Sequence, residues 1–466
     1  MRVLSVASEC APLVKTGGLA DVAGALPAAL KAEGVEMRTM LPGYPAVMAA
    51  LEGGEVVHEE RDLMGGPARV LAGRAGPLDL MVVEAPHLYA REGSIYLGPD
   101  GRDWPDNPAR FAALSWAAAE VARADWPADV VHCHDWQAGL APYYLRAGGP
   151  PSVLTIHNIA FHGNAAPEEI GPLRLDPSDF TPEGYEFWGR VSALKAGLVW
   201  ADRLTTVSPT YAAELMRPEF GMGLDGVMRA RAGDLTGILN GIDTGVWNPA
   251  TDPLIERYDS PGGKAPNKVA LRRIMGLPDA AGPLCVVVSR LTEQKGFDLL
   301  LEALPALLAR GGQLALLGSG DPALERAFHA AAEDRNVAVR IGYDEALAHR
   351  LIAGGDAILV PSRFEPCGLT QMMGLRYGTV PLVALTGGLA DTVIDASPAA
   401  LAAGAATGIQ VHPVAAGPLA HGLGRLCDLW ETPAVWAQVQ GNAMAAPVGW
   451  ERSAGAYAGL YAALKT

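Results

Sequence analysis

The chain alternates short apolar runs rich in β-branched residues with longer stretches rich in alanine and leucine, almost from end to end. The short runs are typical of strands buried on both faces, and the longer stretches have the composition of helices. Strands that alternate with helices build parallel sheets covered by helices. We therefore predict the α/β class for the whole chain.

At 466 residues the chain is too long for one ordinary core and suits two domains of roughly 200 residues each. The connection Leu239–Lys264 is rich in Gly, Pro, Asn and Asp and has no clear periodicity. We place the domain boundary within it, near Gly245. Two domains imply a cleft in which a ligand can bind.

The predicted elements follow the same scheme in both halves. Helices are expected at Asn107–Ala124, at Trp188–Ala201 and from Phe297 onward. The predicted strands are Val3–Ala7, Leu80–Glu84, Val130–His132, Val153–Ile156, Leu204–Val207, Leu284–Val288, Leu314–Leu317, Ala357–Val360 and Val380–Ala384.

Charge and composition exclude several classes of function. The formal net charge is −15, whereas nucleic acid and anionic membranes attract a distributed basic surface. The amino terminus MRVLSVASE lacks the pattern of a signal peptide, and we find no apolar run long enough to span a bilayer. We expect a cytoplasmic protein with no nucleic-acid or membrane partner.

The five cysteines are scattered and form no CxxC pair, so neither a disulfide framework nor a thiolate zinc site is expected. His132, His134 and Asp135 crowd together, and a strand would put both histidines on one face. No second pair of ligands is evident, so we expect no metal site here.

The hexapeptide Thr-Gly-Gly-Leu-Ala-Asp occurs twice, at Thr16–Asp21 and at Thr386–Asp391. Each copy follows a predicted strand and begins a predicted helix. Paired glycines permit a tight turn, and a helix start offers N–H groups and partial positive charge to phosphate or sugar oxygens. Either copy alone could be an ordinary βα turn. One copy in each half, at the carboxyl ends of strands, favours ligand binding.

Two cationic loops are candidates for binding an anion. Lys15 stands directly before this first glycine turn, where it would neutralise a phosphate or else be an ordinary surface lysine. The pattern is neither a Walker loop nor GxGxxG. Arg290 and Lys295 follow the strand Leu284–Val288, and together they can hold a diphosphate without a divalent metal. The alternative for that pair is a solvated loop.

Further polar groups follow other strands. Glu365, in Phe-Glu-Pro-Cys-Gly-Leu-Thr, offers a carboxylate to sugar hydroxyls or to a developing oxocarbenium charge, unless it is a simple helix-start acid. Cys367 has no nearby histidine to activate it, so we expect a packed residue. His157, Asn158 and Asp135 lie at strand ends in the first half, where Asp135 is able to accept hydrogen bonds from an acceptor hydroxyl.

With these motifs assembled, the sequence resembles bacterial glycogen synthases and plant starch synthases, a family of retaining glycosyltransferases with two facing Rossmann-like domains, the GT-B fold. The resemblance spans nearly the whole chain. It is carried, in family order, by Lys15–Val22, His132–Gly139, Thr155–Ile159, Leu239–Asp243, Ser289–Gly296, Pro361–Gln371 and Thr386–Val393.

The resemblance implies an α/β architecture with a catalytic cleft between two domains. Residues 1–244 would form the acceptor-side domain with catalytic loops, and residues 245–448 the domain with the nucleotide-sugar donor site. Residues 449–466 would form a helix that returns to the first domain. Family members transfer glucose from ADP-glucose to the non-reducing end of an α-1,4-glucan, in glycogen biosynthesis, and need no metal or other cofactor.

Carried over residue by residue, the resemblance implies catalytic roles for His157, Asp135, Arg290, Lys295 and Glu365. The substrate-binding residues it implies are Lys15, Gly17, Gly18, Asn158, Asn240, Tyr343, Cys367, Gly368, Leu369, Thr386, Gly387 and Gly388. Among these, Lys15 would lie near the donor phosphates and Tyr343 beside the nucleotide base. Tyr96 is a weaker correspondence, because residues 93–103 do not align securely.

Retention of configuration requires either a covalent intermediate or departure and attack on one face of the sugar. We favour the second hypothesis, because no carboxylate is identifiable as an in-line nucleophile and a cationic site stabilises the leaving diphosphate. UDP-glucose or another acceptor remains the main alternative. A phosphorylase would need pyridoxal phosphate and a longer chain, a nicotinamide oxidoreductase would need GxGxxG, and the full set of polar candidates disfavours a silent glucan-binding protein. The sequence does not fix the oligomeric state.

Overall fold

The protein is described by a computed structural model that covers residues 1–465, and it divides into two compact units. Unit 1 comprises Met1–Asn240 and the chain from Trp450 onward, and unit 2 is Gly241–Gly449. The chain thus passes between units a few residues before the boundary predicted near Gly245, and it returns one residue after the predicted start of the terminal segment at 449.

Unit 1 is built on a twisted, mainly parallel sheet flanked by helices. Its strands are β1 Arg2–Val6, β2 Glu36–Pro42, β3 Glu52–Glu60, β4 Ala68–Ala75, β5 Leu78–Glu84, β6 Val130–His134, β7 Ser152–Ile156, β8 Asn164–Ala165, β9 Glu186–Phe187, β10 Arg190–Ser192, β11 Arg203–Thr206 and β12 Leu235–Gly237. Its helices up to residue 240 are α1 Gly18–Lys31, α2 Pro45–Ala50, α3 Pro86–Tyr89, α4 Asn107–Glu120, α5 Ala141–Leu145, α6 Ala193–Trp200, α7 Pro209–Leu215 and α8 Asp225–Ala230.

Over residues 1–465, nine of these strands form one sheet in the order β12-β11-β7-β6-β1-β2-β5-β4-β3. Neighbouring strands run parallel from β12 to β5, whereas β5, β4 and β3 pair antiparallel. A separate small antiparallel sheet has the order β8-β10-β9. The chain order reverses between β1 and β6, which is where open α/β sheets bind ligands.

Unit 2 repeats the scheme more simply. Its strands are β13 Leu284–Val288, β14 Gln313–Gly318, β15 Val337–Ile341, β16 Ala357–Val360, β17 Val380–Ala384 and β18 Ile409–Val411. Its helices are α9 Ala265–Met275, α10 Phe297–Leu308, α11 Pro322–Ala331, α12 Glu345–Gly354, α13 Thr370–Arg376, α14 Gly387–Thr392, α15 Pro398–Ala402, α16 Ala416–Trp430 and α17 Pro433–Ala445.

The six strands described in unit 2 are all parallel, in the order β15-β14-β13-β16-β17-β18. This is the strand order of a Rossmann fold, and its reversal lies between β13 and β16. Side chains of β13 alternate between two apolar layers: Cys285 and Val287 pack into one core, and Leu284 and Val286 into the other. Burial on both faces explains why these strands read as continuous apolar runs.

The chain then returns to unit 1, where α18 Glu451–Ala463 packs on the helical face of the sheet. Its Ala454, Tyr457 and Tyr461 share one buried core with Val3 of β1 and Leu26 of α1. This segment completes the core of unit 1 although it lies at the far end of the sequence.

One predicted helix is wrong in its first part. The segment Trp188–Ala201 was expected to be helical, but β9 and β10 form a hairpin whose turn is Trp188 and Gly189, with φ of 52° and 74°. The helix starts only at Ala193, because Ser192 Oγ accepts a hydrogen bond from the Lys195 N–H at 3.1 Å and caps it there. The predicted helix Asn107–Ala124 also ends differently, since α4 passes into a π-helical turn at Val121–Asp125.

No helix formed by residues 1–465 is long and apolar enough to cross a membrane. The five cysteines are buried free thiols.

Candidate active site

The loop after β1 in unit 1 is closed by a buried carboxylate, Glu9. Its Oε2 accepts hydrogen bonds from the Thr16 N–H at 2.5 Å, the Thr16 hydroxyl at 2.8 Å and the Gly17 N–H at 3.3 Å. Burial raises the pKa of the Glu9 carboxyl, although these hydrogen bonds oppose the rise. The N–H groups predicted to bind phosphate are therefore held by a carboxylate of the protein itself.

The predicted phosphate-binding Lys15 lies at the surface beside this loop. Its ammonium forms an ion pair with Asp21, the last residue of the first hexapeptide, at 2.7 Å. Gly17 precedes α1 and Gly18 begins it. The Lys15 side chain is 47% exposed, and an exposed ion pair is weak, so the lysine can exchange Asp21 for another anion.

Tyr96, a weaker correspondence in the family resemblance, lies at the same loop. Its hydroxyl is 2.7 Å from Ser8 Oγ and donates to Glu9 Oε1 at 3.5 Å. Burial raises the pKa of the Tyr96 hydroxyl well above its usual range, so it stays protonated. Glu9 itself was missed, because a single acid in a loop gives no sign that folding will bury it.

Asp135 follows β6, on the other side of the strand-order reversal from Glu9. Its backbone has φ of 53°, and its Oδ1 accepts from the N–H groups of His157 at 2.6 Å and Asn158 at 3.3 Å. Burial raises the pKa of the Asp135 carboxyl to about 7, against the effect of these two donors. A non-glycine residue with positive φ is strained, and such strain is common at functional sites.

His157, whose backbone N–H donates to Asp135, belongs to a column of buried histidines. The ring nitrogens His157 Nε2 and His134 Nδ1 are 2.9 Å apart, and His134 Nε2 is 3.1 Å from Ser5 Oγ. Burial lowers the pKa of His134 to about 3 and that of His157 well below its usual range, so both rings are neutral. One ring must then donate to the other, which couples the tautomer of His157 to the hydrogen bonds of His134.

The column continues to the terminal helix. His132 Nε2 is 2.6 Å from Thr155 Oγ1, and Tyr461 of α18 places its hydroxyl 2.8 Å from His132 Nδ1. The histidines that crowd together in the sequence, His132 and His134, therefore form part of a buried hydrogen-bonded network. No cluster of three or more His, Cys, Asp or Glu side chains suited to a metal ion occurs within the described residues.

The predicted asparagines of unit 1 differ in their contacts. Asn158 Oδ1 accepts from the Ala160 N–H at 3.0 Å and so shapes its own turn. Asn240 is 6% exposed, and its Oδ1 is buried without a hydrogen-bond partner among residues 1–465. A buried polar atom without a partner is costly, which makes Asn240 a candidate to bind a ligand.

In unit 2, Lys295 and Glu365 meet at the strand-order reversal, one after β13 and the other after β16. Lys295 Nζ lies 2.5 Å from Glu365 Oε2, and the Ser362 hydroxyl donates to the same oxygen at 2.9 Å. Both side chains are largely buried, with exposures of 16% and 9%. Gly296, with φ of 70°, lets the lysine loop turn against Pro361.

This ion pair lines a cavity at the carboxyl end of the sheet. Gly368, Leu369 and Gln371 also line it. Gln371 Oε1 is buried and has no hydrogen-bond partner within the described part of the chain. An added Cβ at Gly368 would overlap this amide oxygen, so only glycine leaves room for it. Gln371 and Ser362 were not singled out by the sequence.

The second hexapeptide packs against the glutamate loop. The Gly388 N–H donates to the carbonyls of Glu365 and Pro366, each at 3.1 Å. Added Cβ atoms at Gly387 and Gly388 would overlap the carbonyls of Glu365 and Cys367. Thr386 is buried directly before them, and Cys367 is 5% exposed, as expected for a packed thiol. The two glycines thus fix the loop that carries Glu365.

Two other predicted residues of unit 2 lie at the surface. The Arg290 side chain is exposed and forms no ion pair within residues 1–465. Tyr343 follows β15, is 81% exposed, and donates its hydroxyl to Glu345 Oε2 at 3.0 Å. Neither lines the cavity that holds Lys295 and Glu365.

Comparison with known proteins defines the class to which this fold and site belong. Residues 2–230 match the model of the starch synthase catalytic domain, and residues 282–427 match that of glycosyl transferases group 1. The protein is a glycosyltransferase, and its two Rossmann-like units agree with the predicted fold class.

Close relatives define the family. The chain is 64% identical to a glycogen synthase of Paracoccus denitrificans and 62% identical to one of Jannaschia sp., covering 99% of each chain in both cases. The structure of the catalytic domain of starch synthase IV from Arabidopsis thaliana, bound to ADP and acarbose, matches with a TM-score of 0.88 and 31% identity over 99% of both chains. The chain belongs to the family of bacterial glycogen synthases and plant starch synthases, and its function is glycogen synthesis. This confirms the resemblance drawn from the motifs.

Proposed function

We propose that the enzyme takes glucose from ADP-glucose and adds it to the non-reducing end of an α-1,4-glucan with retention of configuration. The observation that carries this proposal is the Lys295–Glu365 pair in the cavity between β13 and β16. A cation and a carboxylate side by side suit a ligand with an anionic part and a hydroxyl-rich part, as a nucleotide sugar has. The relative from Arabidopsis is bound to ADP, which supports an adenine nucleotide.

Unit 2 would hold the donor. Lys295 and the exposed Arg290 would bind the diphosphate, and Tyr343 would lie beside the base. Glu365 would accept hydrogen bonds from glucose hydroxyls, and its carboxylate holds the ammonium of Lys295 at the cavity. The glycines at 387 and 388 keep the backbone of the glutamate loop in place for this contact.

In the proposed reaction the bond between glucose C1 and the diphosphate oxygen breaks, and its electron pair stays on the diphosphate. Arg290 and Lys295 stabilise that charge as it develops. The 4-hydroxyl of the acceptor attacks C1 from the same face, and its proton passes to the departing phosphate oxygen. The products are the lengthened glucan and ADP, and no covalent enzyme intermediate forms.

Unit 1 would serve the acceptor and the transferred glucose. Asp135 fixes the His157–Asn158 turn through two backbone N–H groups, so these side chains are presented by a rigid loop. Asn240 offers its unpartnered amide oxygen. Lys15 would bind the donor phosphates by exchanging Asp21 for the ligand, and Gly17 and Gly18 would lie near them, with the Gly17 N–H held by Glu9.

We also propose that the reaction needs no metal ion, because Arg290 and Lys295 supply the positive charge that the leaving diphosphate requires. Treatment with a chelator should leave the rate unchanged, and a rate restored only by added divalent cation would contradict this.

The donor is tested by supplying purified enzyme with glycogen and either ADP-glucose or UDP-glucose, and by measuring nucleotide release together with glucan elongation. We expect both signals to be much larger with ADP-glucose. Equal or greater elongation with UDP-glucose would overturn the choice of donor and leave the family assignment intact. For the one-face mechanism, a glycosyl–enzyme adduct trapped on the Glu365→Ala variant would count against the proposal.

A further inference from the structure

Three segments of unit 1 pack together: residues 157–163, which begin with the His157–Asn158 turn, the β9–β10 hairpin and residues 220–223. The ring of His162 contacts that of Phe187 edge-on at a centroid distance of 4.6 Å. The His162 carbonyl accepts from the Ser192 hydroxyl at 3.1 Å. The backbone of Gly223 lies so close that an added Cβ would be 3.2 Å from Phe187 and 3.5 Å from Trp188 Nε1.

Each of these loops exposes a large apolar side chain. Trp188 is 83% exposed, Phe161 is 59% exposed and Met222 is 38% exposed. We call these three residues the aromatic ridge. Exposed apolar groups gathered on neighbouring loops commonly mark a binding surface.

The turn that carries Trp188 does not explain why a tryptophan is there. Trp188 and Gly189 both have positive φ, a two-residue hairpin turn that favours asparagine followed by glycine. A bulky side chain in this conformation is unfavourable. The indole makes a ring contact with Phe187 at 6.2 Å, lies beside the Gly223 backbone, and is 83% exposed, so its packing in the fold is slight.

The aromatic ridge is continuous with the turn proposed to contact the sugar. Phe161 N–H donates to the Asn158 carbonyl at 3.5 Å, and Ala160 N–H donates to the Asn158 side chain. Phe161 is therefore part of the same turn as Asn158, which is proposed to contact the sugar. A ligand that occupies the turn and is longer than one sugar would reach these loops next.

We propose that the aromatic ridge binds the α-1,4-glucan chain at sugar units beyond the one that reacts. This inference rests on the proposed function. A glucan is neutral, its hydroxyls lie around the rim of each sugar ring, and its C–H groups form apolar faces that pack on indole and phenyl rings. Trp188 and Phe161 offer such rings, whereas an anionic ligand would need more positive charge than these loops carry.

The test compares Trp188→Ala, Trp188→Phe and a control, Val269→Ala, which removes an exposed apolar side chain from α9 of unit 2. Two measurements are made on each: co-sedimentation with glycogen without donor, and the KM for glycogen and for maltotriose with ADP-glucose. Loss of the indole contact should weaken glycogen binding and raise its KM on the order of three- to tenfold. The KM for maltotriose and for ADP-glucose should change little. Trp188→Phe should restore most of the affinity, and Val269→Ala should match the wild type.

Unchanged glycogen binding in Trp188→Ala would overturn the inference. Equal effects of Trp188→Ala on the KM for glycogen and the KM for maltotriose would also overturn it, since these would point to the reacting sugar. A sedimentation coefficient of Trp188→Ala that differs from that of the wild type without glucan would overturn it as well, since it would show that a second copy covers the ridge. If the wild type binds glycogen but fails to elongate it with ADP-glucose, the proposed donor is wrong while the ridge stands on its binding result.

Discussion

The two copies of Thr-Gly-Gly-Leu-Ala-Asp have the same sequence and form different contacts. At Thr16–Asp21 the backbone N–H groups bond to the Glu9 carboxylate, Gly17 is half-buried, Gly18 is exposed, and the Cβ position of Gly17 has no described heavy atom within 4 Å outside its neighbours. At Thr386–Asp391 the glycines are buried against the carbonyls of the Glu365 loop. A short motif therefore specifies a helix start, and the surrounding fold decides whether its glycines have open space beside them or pack against another loop.

The largest effect is expected from Lys295, the ion-pair partner of the Glu365 loop against which the second copy packs. Lys295→Ala leaves the buried Glu365 carboxylate without its ion-pair partner and removes a proposed diphosphate ligand. We expect the rate of glucan elongation to fall by roughly a hundredfold or more. Elongation with ADP-glucose, measured at saturating glycogen, checks this. Activity within threefold of the wild type would show that the ion pair is structural only.

The glycines of the two copies should differ in their effect on stability. Gly388→Ala forces a Cβ against the Cys367 carbonyl, and we expect a loss of about 1–3 kcal/mol in the free energy of unfolding. Gly17→Ala is the matched control, and it should change that free energy by less than about 0.5 kcal/mol. Urea unfolding of both variants measures the difference. Similar losses in the two variants would show that the glycines of the two copies do not differ in how tightly they are packed.

Asp135, one of the two buried carboxyl groups described above for unit 1, should make stability depend on pH. The pKa of Asp135 is raised to about 7 in the folded protein, so the native state binds a proton that the unfolded state releases. Stability should therefore fall as pH rises from about 4 to 7, by up to about 1.4 kcal/mol per pH unit from this group. Asp135→Asn keeps an oxygen that can accept from His157 and Asn158, and it should remove the part of the slope that Asp135 causes. Glu9, whose pKa burial also raises, keeps its own part.

The control for that measurement is Asp279→Asn, since the Asp279 side chain is 99% exposed. Thermal unfolding of the wild type and both variants between pH 5 and 8 compares the slopes. A slope unchanged by Asp135→Asn would show that another group causes it.

The smallest effect is expected at Lys15, the cation directly before the first copy. Lys15→Ala breaks an exposed ion pair with Asp21, so the free energy of unfolding should change by less than about 1 kcal/mol. If Lys15 binds the donor phosphates, the KM for ADP-glucose should rise several-fold while unfolding is unaltered. No change in either quantity would assign Lys15 to the surface alone.

The sequence predicted the buried strands best. The bounds of Leu284–Val288, Ala357–Val360 and Val380–Ala384 agree with the structure, because strands covered on both faces are continuous apolar runs that end where the chain turns. The strand Glu52–Glu60 was missed, since its many charged residues hide the pattern. The hairpin at Trp188 was missed because the apolar periodicity of α6 extends into it.

For the site, the sequence nominated residues by type and by position after a strand. It could not predict that Lys295 and Glu365, 70 residues apart, form an ion pair, or that Glu9 is buried against the first hexapeptide. Both facts depend on tertiary packing, which brings together the carboxyl ends of strands that are distant in the chain. The assignments of function to individual residues stay predictions.

The proposed function depends above all on Lys295 and Arg290, which we propose to hold the donor diphosphate beside Glu365, at the strand-order reversal of unit 2. A crystal structure of the enzyme with ADP and a glucan fragment tests it most directly. We expect phosphate oxygens about 3 Å from Lys295 Nζ and from the Arg290 guanidinium, with Glu365 released from the lysine to accept a hydrogen bond from a sugar hydroxyl. A diphosphate bound away from both cations, with the Lys295–Glu365 ion pair intact, would contradict it.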